Sequence, residues 1–453
     1  MKVYSFADFT SILPRRPTYA LIGHSINNSI SYFLHTECFR RKGIDADFLL
    51  IDVTSEEFPR TLLLAQDKLA GFSCTTKYTK QLVRFLDAQD ERVVALGACN
   101  TVAVRNQHYF GYNTDGLCFV DALALSNVSL EGARVLLLGT KSTARAIAYE
   151  ALIRNAVLTV AGQTLAHTQD FCHLFSHHST TPTTFDTVSG SYDIVVNTTP
   201  VGMPPQMGAS PLEWNRIEDT TFAYDYIYNP PMTQFLHKAE QRGIKTDNGL
   251  SALVLQGLAA QTIWLGHKFS DARDILLQVT LDYTKLRLGD RNLVLTGFMG
   301  AGKTTWGSRL ARILGRKFYD IDRMVERAAG TPIPAFLATH SKAELSMLEA
   351  RVIRDLSEKK RAVIATNWCS VTRPQNVSML HKNGFFLFLD TPFPVLRRRI
   401  CRDCSHPLLQ GGNTSGTIKA LYRAQLPFYQ ATADSTAPMS SVETTISQLL
   451  RYL

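Results

Sequence analysis

One stretch of the chain combines residue types and a spacing that bind phosphate. An apolar run that begins at Asn292 leads into Gly297, and after four intervening residues, which include Gly300, comes Gly302-Lys303-Thr304. In such a loop, backbone N–H groups bind phosphate oxygens, the lysine reaches the β- and γ-phosphates, and the threonine hydroxyl binds Mg²⁺. The following residues, Thr305 to Leu314, favour a helix whose positive end would face the anion. The sequence therefore predicts a nucleoside triphosphate site.

The elements that must position this loop belong to a chain in which strands and helices alternate. Apolar runs such as Arg134–Leu138 predict buried parallel strands, and stretches such as Ser31–Lys42 predict the helices between them. Such alternation implies right-handed crossovers and a mostly parallel sheet that binds ligands at its carboxyl edge. The predicted fold class is α/β, and a chain of 453 residues is long enough for about two or three domains.

Composition and charge argue against several classes of protein. The chain is 45% hydrophobic and 19% charged, as in ordinary soluble proteins, and no apolar run reaches the roughly 20 residues of a membrane span. The N-terminus lacks the basic and apolar regions of a signal peptide, so we expect a cytoplasmic protein without a membrane partner. The net charge of +9 is scattered, which suits anionic small molecules and gives no reason to expect nucleic acid. The eight cysteines lack the spacing of a disulfide scaffold.

Six motifs before residue 288 occur in the order known from one family. They are Gly23-His-Ser-Ile-Asn-Asn-Ser29-Ile-Ser31, Gly97-Ala-Cys-Asn100, Gly111-Tyr-Asn-Thr-Asp115, Asn197-Thr-Thr-Pro-Val-Gly-Met203, Asp225-Tyr-Ile-Tyr-Asn-Pro230 and Asp247-Asn-Gly-Leu-Ser-Ala-Leu-Val-Leu-Gln256. This part of the chain resembles shikimate dehydrogenase. The resemblance implies a substrate-binding domain at residues 1–130, with helices at 249–285 packing back on it, and a Rossmann domain for NADP at residues 131–248.

The same resemblance implies which side chains bind the substrate. They are Ser29, Ser31, Asn100, Asp115 and Gln256, which would contact the hydroxyls and carboxylate of a shikimate-like ring, with Asp115 also catalytic. Several polar groups at fixed positions suit a polyol acid. For Ser29 and Ser31, a second interpretation is that they cap a helix, and capping is compatible with binding.

The position that transfers the proton departs from the family pattern. Shikimate dehydrogenases carry Asn-x-Thr-x-Pro-x-Lys, whose lysine pairs with the aspartate of Asn-Thr-Asp, but Thr79 falls on the lysine position here. Reduction to an alcohol needs a proton donor beside the carbonyl oxygen, and threonine is a poor one. In an extended segment Lys77 would share the side of residue 79 and Lys80 would not, so Lys77 is the candidate catalytic residue. The alternative is that both lysines are solvated surface residues.

The dinucleotide loop is altered as well. The glycine-rich loop of the family reads Gly139-Thr-Lys-Ser-Thr-Ala144 here and keeps only Gly139 as a cofactor-binding glycine. The family's Asn-Arg-Thr, whose arginine holds the 2′-phosphate, is Gly162-Gln163-Thr164, so no guanidinium remains there to select NADP over NAD. These replacements put the binding of either NADP or NAD in doubt.

Residues 289–453 resemble shikimate kinase, a P-loop kinase of α/β fold. The matches are Gly297-Phe-Met-Gly-Ala-Gly-Lys-Thr-Thr305, Asp320-Ile-Asp322, Glu349, Pro407-Leu-Leu409 and Tyr429 with Ala433-Asp434. The resemblance implies ATP and Mg²⁺ as cofactors, with Lys303 and Asp322 catalytic, Thr304 and Asp320 on the metal, and Thr305 in the nucleotide-binding loop. Asp322 would also bind the acceptor hydroxyl. Two carboxylates two residues apart at a strand end suit a metal and a nucleophile.

The acceptor side of this second domain lacks groups that the family uses. Ser346 replaces the arginine that grips the shikimate carboxylate, Asn367-Trp368-Cys369 replaces three glycines around the ring, and His406 and Gln425 replace two further arginines. Each lost bidentate contact between arginine and carboxylate costs on the order of 2–5 kcal/mol. We therefore expect a changed acceptor, or nucleotide binding without transfer.

Three hypotheses follow from these matches and departures. The first is a bifunctional protein of the shikimate pathway, which makes aromatic amino acids, with NAD(P)-dependent dehydrogenase and ATP-dependent kinase units of weakened or altered substrate use. The second is a catalytically silent regulator that binds nucleotide and a shikimate-like metabolite and acts on a protein partner. The third is a working phosphotransferase beside an inactive dehydrogenase. The sequence alone does not choose between enzyme and regulator.

Overall fold

A computed structural model describes residues 2–27, 29–266, 268–367, 370–402, 414–439, 449–450 and 452–453. The chain divides into two compact units, residues 1–279 and residues 280–453. Among the described helices, none has the length and hydropathy that a membrane crossing requires.

The first unit begins with a mixed sheet of seven strands in the order β1-β3-β2-β4-β6-β7-β5. The strands are β1 Val3–Tyr4, β2 Thr18–Gly23, β3 Asp47–Asp52, β4 Gly71–Cys74, β5 Ala88–Gln89, β6 Thr101–Arg105 and β7 His108–Tyr112. The helices are α1 Phe6–Ser11, α2 Ser31–Lys42, α3 Phe58–Lys68, α4 Thr79–Leu82, α5 Glu91–Leu96 and α6 Asp115–Leu125. The strands β1 to β4 are parallel, whereas β6 pairs antiparallel with both β4 and β7. The β6–β7 hairpin turns at Asn106-Gln107, both with positive φ, which matches the right-handed twist of its strands.

A second sheet in the same unit is entirely parallel, with the order β10-β9-β8-β11-β12-β13. Its strands are β8 Arg134–Leu138, β9 Val157–Gly162, β10 Thr180–Thr184, β11 Ile194–Asn197, β12 Phe222–Asp225 and β13 Lys245–Asn248. The helices are α7 Ser142–Leu152, α8 Leu165–His173, α9 Gln234–Gln241 and α10 Leu250–Leu265, and the next helix, α11 Ala272–Leu288, includes the boundary between residues 279 and 280. This is the doubly wound order of a Rossmann fold, in which the strand order reverses beside the first strand.

The second unit has one parallel sheet of five strands in the order β15-β16-β14-β17-β18. Its strands are β14 Asn292–Thr296, β15 Lys317–Asp320, β16 Ala362–Ala365, β17 Gly384–Asp390 and β18 Ser435–Pro438. Its helices are α12 Lys303–Leu314, α13 Ile321–Ala329, α14 Ile333–Thr339, α15 Lys342–Ser357, α16 Pro374–His381, α17 Phe393–Arg402 and α18 Thr414–Thr432. The central strand β14 is buried at every residue, and it leads directly into the glycine-rich loop.

A close helix contact in the first unit depends on Gly116, the second residue of α6. A Cβ atom at this position would lie 2.4 Å from the carbonyl oxygen of Ala146 on α7 and 2.7 Å from Glu150 Cγ. Backbone atoms of a helix cannot move aside cheaply, so any side chain here forces the helices apart. Gly116 therefore sets the distance between α7 and α6, the helix that begins with Asp115.

We expect Gly116→Ala to lower the free energy of unfolding by about 1–3 kcal/mol, because overpacking strains a close-packed interface. Thermal or denaturant unfolding of the whole chain measures this. The matched control is Gly208→Ala, since a Cβ atom at Gly208 meets nothing within 4 Å. Equal losses in the two variants, or none in either, would contradict this account of the α6–α7 contact.

Candidate functional site

The first unit contains a cavity of about 500 Å³ at the carboxyl end of parallel strands β2 and β4. Residues beyond these strand ends line it, together with residues at the starts of α2 and α6, on α4 and in the middle of α10. The cavity brings together all five substrate-binding residues predicted for the first unit. They are Ser29, Ser31, Asn100, Asp115 and Gln256.

A cluster of hydrogen bonds centres on the Asp115 carboxylate. The side-chain amide of Asn100 donates to Asp115 Oδ1 at 2.6 Å, and the amide of Gln256 donates to the same oxygen. Burial raises the pKa of Asp115, and these two hydrogen bonds oppose the shift. The three residues come from the loop before β6, the start of α6 and the middle of α10, so the cluster joins distant parts of the chain.

The Ser29 and Ser31 hydroxyls also contact each other, with the Ser29 Oγ donating to Ser31 Oγ at 3.1 Å. The N-cap of α2 is Ile30, which makes no side-chain capping bond, but the N–H of Ser31, the first residue of the helix, donates to Ser29 Oγ at 3.3 Å. A capping role of Ser29 is therefore compatible with the position of both hydroxyls on the cavity wall.

Tyr226 was not anticipated from the sequence, although it lies in the Asp225–Pro230 motif. Its hydroxyl donates to the backbone carbonyl of Asp115 at 3.2 Å, and its side chain lines the cavity. It follows β12, so it ties the Rossmann sheet to the first turn of α6. A tyrosine just beyond a strand end in a motif was the available signal.

In the second unit, the glycine-rich loop connects β14 to α12. Gly297, Gly300 and Gly302 all have positive φ, which side-chain-bearing residues rarely adopt. The Lys303 ammonium turns back over this loop and donates to the carbonyls of Gly297 at 2.7 Å and Phe298 at 3.0 Å. Burial lowers the pKa of Lys303 to about 8. Thr305 follows in the exposed first turn of α12.

Two carboxylates from the end of β15 lie beside this loop. Thr304 Oγ1 donates to Asp320 Oδ2 at 2.6 Å, so the two predicted metal ligands are neighbours. Asp320 also caps α13, because its Oδ1 accepts the Arg323 N–H at 3.4 Å. Burial, followed by the charge of Asp320, raises the pKa of Asp322 to about 6, while Lys303 opposes the shift.

The donor set at this loop fits a nucleotide with its magnesium ion. A lysine, a threonine hydroxyl and one carboxylate are the protein groups that such a site needs, since phosphates and water complete the coordination of Mg²⁺. Among the described residues, no group of three or more His, Cys, Asp or Glu side chains could hold a metal ion.

Comparison with known protein families covers both units. The family model for the shikimate dehydrogenase substrate binding domain matches residues 21–102, and the model for shikimate kinase matches residues 299–452. The shikimate dehydrogenase (NADP+) of Shouchella clausii is 32% identical over 256 residues, which are 55% of this chain and 93% of that protein. The corresponding protein of Caldicellulosiruptor saccharolyticus is 34% identical over 253 residues, 54% of this chain and 90% of its own. The chain belongs to the shikimate dehydrogenase family.

A shikimate kinase domain follows in the same chain, so the protein is a fusion of the two types of unit. Solved structures agree for the first unit. Shikimate dehydrogenase 1 from Peptoclostridium difficile superposes with a TM-score of 0.54 at 25% identity, over 59% of this chain and 99% of that one. The ligand-free 5-ketofructose reductase of a Gluconobacter species gives 0.53 at 27% identity, over 58% and 98%.

Against this family background, the structure places Thr79 on the cavity wall with 2% of its surface exposed. Lys77 is exposed, is not part of the cavity lining, and has its ammonium 5.4 Å from the centre of the Tyr78 ring. The premise that residues 77–80 are extended is wrong, because a turn precedes Thr79 and α4 begins there. The alternation of sides that favoured Lys77 therefore does not apply, and Lys80 is exposed as well.

In this chain the dinucleotide loop carries side chains at positions where the family pattern has glycines. Gly139 has a φ of +111°, and a Cβ atom there would lie 2.6 Å from Thr198 Oγ1, so the glycine is needed for packing against the neighbouring loop. Lys141 and Gln163 are exposed, and Thr164 caps α8 through the His167 N–H at 3.4 Å. These positions carry neither the small residues nor the arginine of the family pattern.

The acceptor side of the kinase-type unit contains an arginine that the sequence comparison did not predict. Glu349 is 3% exposed and accepts hydrogen bonds from Asn367 at 3.0 Å, from Ser370 at 3.1 Å and from Arg373 Nη1 at 2.8 Å. Arg373 thus brings a guanidinium to Glu349 although Ser346 has replaced the family's arginine. It lies 24 residues from Glu349, and no local spacing links them.

Of the other predicted departures from the family pattern, one lies at a position that the structure describes and the rest do not. Gln425 is buried, and its Oε1 accepts the Tyr429 hydroxyl at 3.1 Å, so it serves packing within α18. Trp368, Cys369, His406 and the Pro407-Leu-Leu409 segment lie outside the described residues.

We expect Lys303→Met to lower the affinity for Mg-ATP by about 100-fold or more, because it removes the cation that would balance the phosphate charge and that water cannot replace in this buried position. Isothermal calorimetry of the full chain measures the affinity. Lys382→Met is the matched control, since Lys382 is an exposed lysine in a turn of the same unit. Similar affinities for all three proteins would show that this loop does not bind the nucleotide.

Proposed function

We propose that this fusion is a bifunctional protein of the shikimate-pathway type with altered substrate use. In this proposal the first unit binds a shikimate-like polyol acid and the second binds ATP with Mg²⁺. The observation that carries the proposal is the hydrogen-bonded cluster of Asn100, Asp115 and Gln256 in a cavity of about 500 Å³ that Ser29 and Ser31 also line. A cavity of that size accommodates one small ring, and its polar groups converge as recognition of a polyol requires.

The altered substrate use of the first unit is inferred from the residue at the proton-transfer position. Hydride transfer to a carbonyl produces an alkoxide that a nearby acid must protonate. Thr79 holds the position of the family's lysine, and its hydroxyl donates to the carbonyl of Thr76 at 3.1 Å, so it is already engaged. Lys77 is no replacement in this proposal, because it is exposed and does not line the cavity. We therefore assign slow or no shikimate oxidation to the first unit.

The cofactor of the first unit is part of the same proposal. The relatives from Shouchella clausii and Caldicellulosiruptor saccharolyticus are NADP+ enzymes. In this chain the loop after β8 keeps only the first glycine of that family pattern, and the loop after β9 lacks its arginine. We assign weak binding of NADP or NAD, which would slow hydride transfer further.

In the second unit, the residues support transfer of the terminal phosphate to a hydroxyl. Lys303 would balance the phosphate charge, Thr304 and Asp320 would hold Mg²⁺, and Asp322 would accept the proton of the attacking hydroxyl. In this proposal the acceptor differs from shikimate or is bound differently, because Ser346 and Gln425 have replaced arginines while Arg373 pairs with Glu349.

A second candidate is a catalytically silent regulator that binds nucleotide and a shikimate-like metabolite and acts on a protein partner. One observation favours it. Thr79 is buried in the cavity, and among the described residues that line this cavity there is no lysine or arginine, so the acid of the family reaction has no counterpart among them. Binding groups for the ring persist without the group that does the chemistry.

Activity assays of the full chain separate these functions. Shikimate with NADP+, and shikimate with Mg-ATP, should each give slow or no turnover, whereas Thr79→Lys should raise shikimate oxidation by about 10²–10⁴, the usual contribution of a positioned acid or base. Thr79→Val is the control of matched volume and should give no gain. Turnover by the unmodified chain at ordinary enzyme rates would contradict the altered-use proposal, and no gain in Thr79→Lys at saturating NADP+ would favour the regulator.

The proton acceptor in the second unit has a pH signature. Asp322 must be ionised to accept a proton, and its pKa is raised to about 6, so residual phosphate transfer to shikimate should fall as the pH drops through about 6. Asp322→Asn should abolish the transfer, and Asp355→Asn, which changes an exposed aspartate on α15, should leave both the rate and its pH profile unchanged. Release of ADP measures the rate. A profile that is flat between pH 5 and 7 would rule out Asp322 as the acceptor of the proton.

A further inference from the structure

The Asp115 carboxylate in the first-unit cavity is only half satisfied by the described residues. Both of its side-chain hydrogen bonds, from Asn100 and Gln256, end on Oδ1. Oδ2 accepts no hydrogen bond from the described part of the chain, and Asp115 lines the cavity. The second oxygen is therefore available to a ligand.

The described cavity wall offers no cation to this carboxylate. Of its two histidines, His35 is kept neutral because burial lowers its pKa to about 3, and it contacts the Gln261 amide at 3.0 Å. His24 has its Nδ1 atom 3.7 Å from Asp52 Oδ1, so a carboxylate already faces it. An ionised carboxylate without a cation or full hydrogen bonding is costly in a low-dielectric site. A ligand that supplies positive charge would remove that cost.

A second acceptor lies beside Asp115. Because the Gln256 amide nitrogen donates to Asp115, its Oε1 atom is left as an acceptor, and no described residue donates to it. Asp115 Oδ2 and Gln256 Oε1 together call for a ligand group with several N–H donors. A hydroxyl has one donor and no charge, whereas a primary ammonium has three donors and one positive charge.

Hydrogen-bond donors, in contrast to these acceptors, are found among the hydroxyls of the cavity wall. Ser29, Ser31 and Thr75 all line the cavity, and Thr75 Oγ1 is buried without a hydrogen-bond partner. Hydroxyl donors of this kind suit a carboxylate or further ring hydroxyls. The wall therefore has a region rich in donors and a region with unpaired acceptors.

From this arrangement we propose that the cavity is specific for an aminated polyol acid, a shikimate-like ring in which a primary ammonium replaces one hydroxyl. The ammonium donates to Asp115 Oδ2 and Gln256 Oε1, and the carboxylate lies by the hydroxyls of Ser29, Ser31 and Thr75. This inference rests on the proposed function, in which the cavity binds a shikimate-like ring, and it names the class of ligand.

The residue at position 79 determines this preference. Thr79 has a short side chain, and its hydroxyl donates to the Thr76 carbonyl. It therefore neither fills the space beside Asp115 nor neutralises the Asp115 carboxylate, and both remain available to the ligand. A lysine at this position would place its own ammonium by Asp115. The ligand's ammonium would then meet a like charge, and a neutral hydroxyl would be favoured instead.

The test compares ligands on the full chain by calorimetry at neutral pH. The probes are shikimate and its analogues in which each ring hydroxyl is replaced in turn by a primary amine. At least one amine analogue should bind about tenfold or more tightly than shikimate, since a desolvated charge pair contributes that much. Thr79→Lys should reverse the order of affinities, and Thr79→Val, which introduces no charge, should preserve it.

The variant Asp115→Asn provides an independent test of the same proposal, because it keeps the shape of the side chain and removes its charge. It should abolish the preference for the amine while melting curves show that the chain stays folded. If shikimate binds as tightly as every amine analogue, this inference is overturned and the proposed function stands. If neither shikimate nor any analogue binds, the proposed function of the first unit fails together with it.

Discussion

Removing a carboxylate from water requires donors or cations to meet it, and in the first unit this requirement links parts of the chain that are far apart in sequence. Asp115 is reached by Asn100 from the loop before β6 and by Gln256 from α10, 141 residues further on. Tyr226 binds the Asp115 carbonyl from the Rossmann sheet, and Gly116 allows α6 to approach α7. Displacing any of these elements would leave buried polar atoms unpaired, so the cavity and the fold are stabilised by the same contacts.

The second unit combines an unchanged half-site with a changed one. The loop Gly297–Thr305 and the carboxylates Asp320 and Asp322 have the groups that a magnesium nucleotide needs, and their contacts are short. On the acceptor side Ser346 stands where the family pattern has an arginine, and Arg373, the residue before α16, donates to the buried Glu349. This guanidinium keeps the Glu349 carboxylate paired in its buried position.

Sequence patterns predicted those parts of the structure that depend on local order. Unbroken apolar runs identified the central strands β8, β11 and β14, and the glycine spacing identified the phosphate-binding loop. The edge strands β10, Thr180–Thr184, and β13, Lys245–Asn248, were not predicted, because polar residues at sheet edges carry no hydrophobic period. Lys77 was selected on the assumption of an extended segment, and the turn before Thr79 removes that basis. Arg373 and Tyr226 escaped notice because their contacts join residues that no short motif connects.

The contact of Lys303 with its own loop links nucleotide binding to protonation. The Lys303 ammonium donates to two backbone carbonyls of its own loop, and burial lowers its pKa to about 8. Triphosphate oxygens favour the charged form, so the arrival of the nucleotide returns the lysine to full protonation and draws a fraction of a proton from solution at mildly alkaline pH. The heat of binding then includes the ionisation heat of the buffer, and the affinity for ATP depends on pH on its own account, independently of any acceptor.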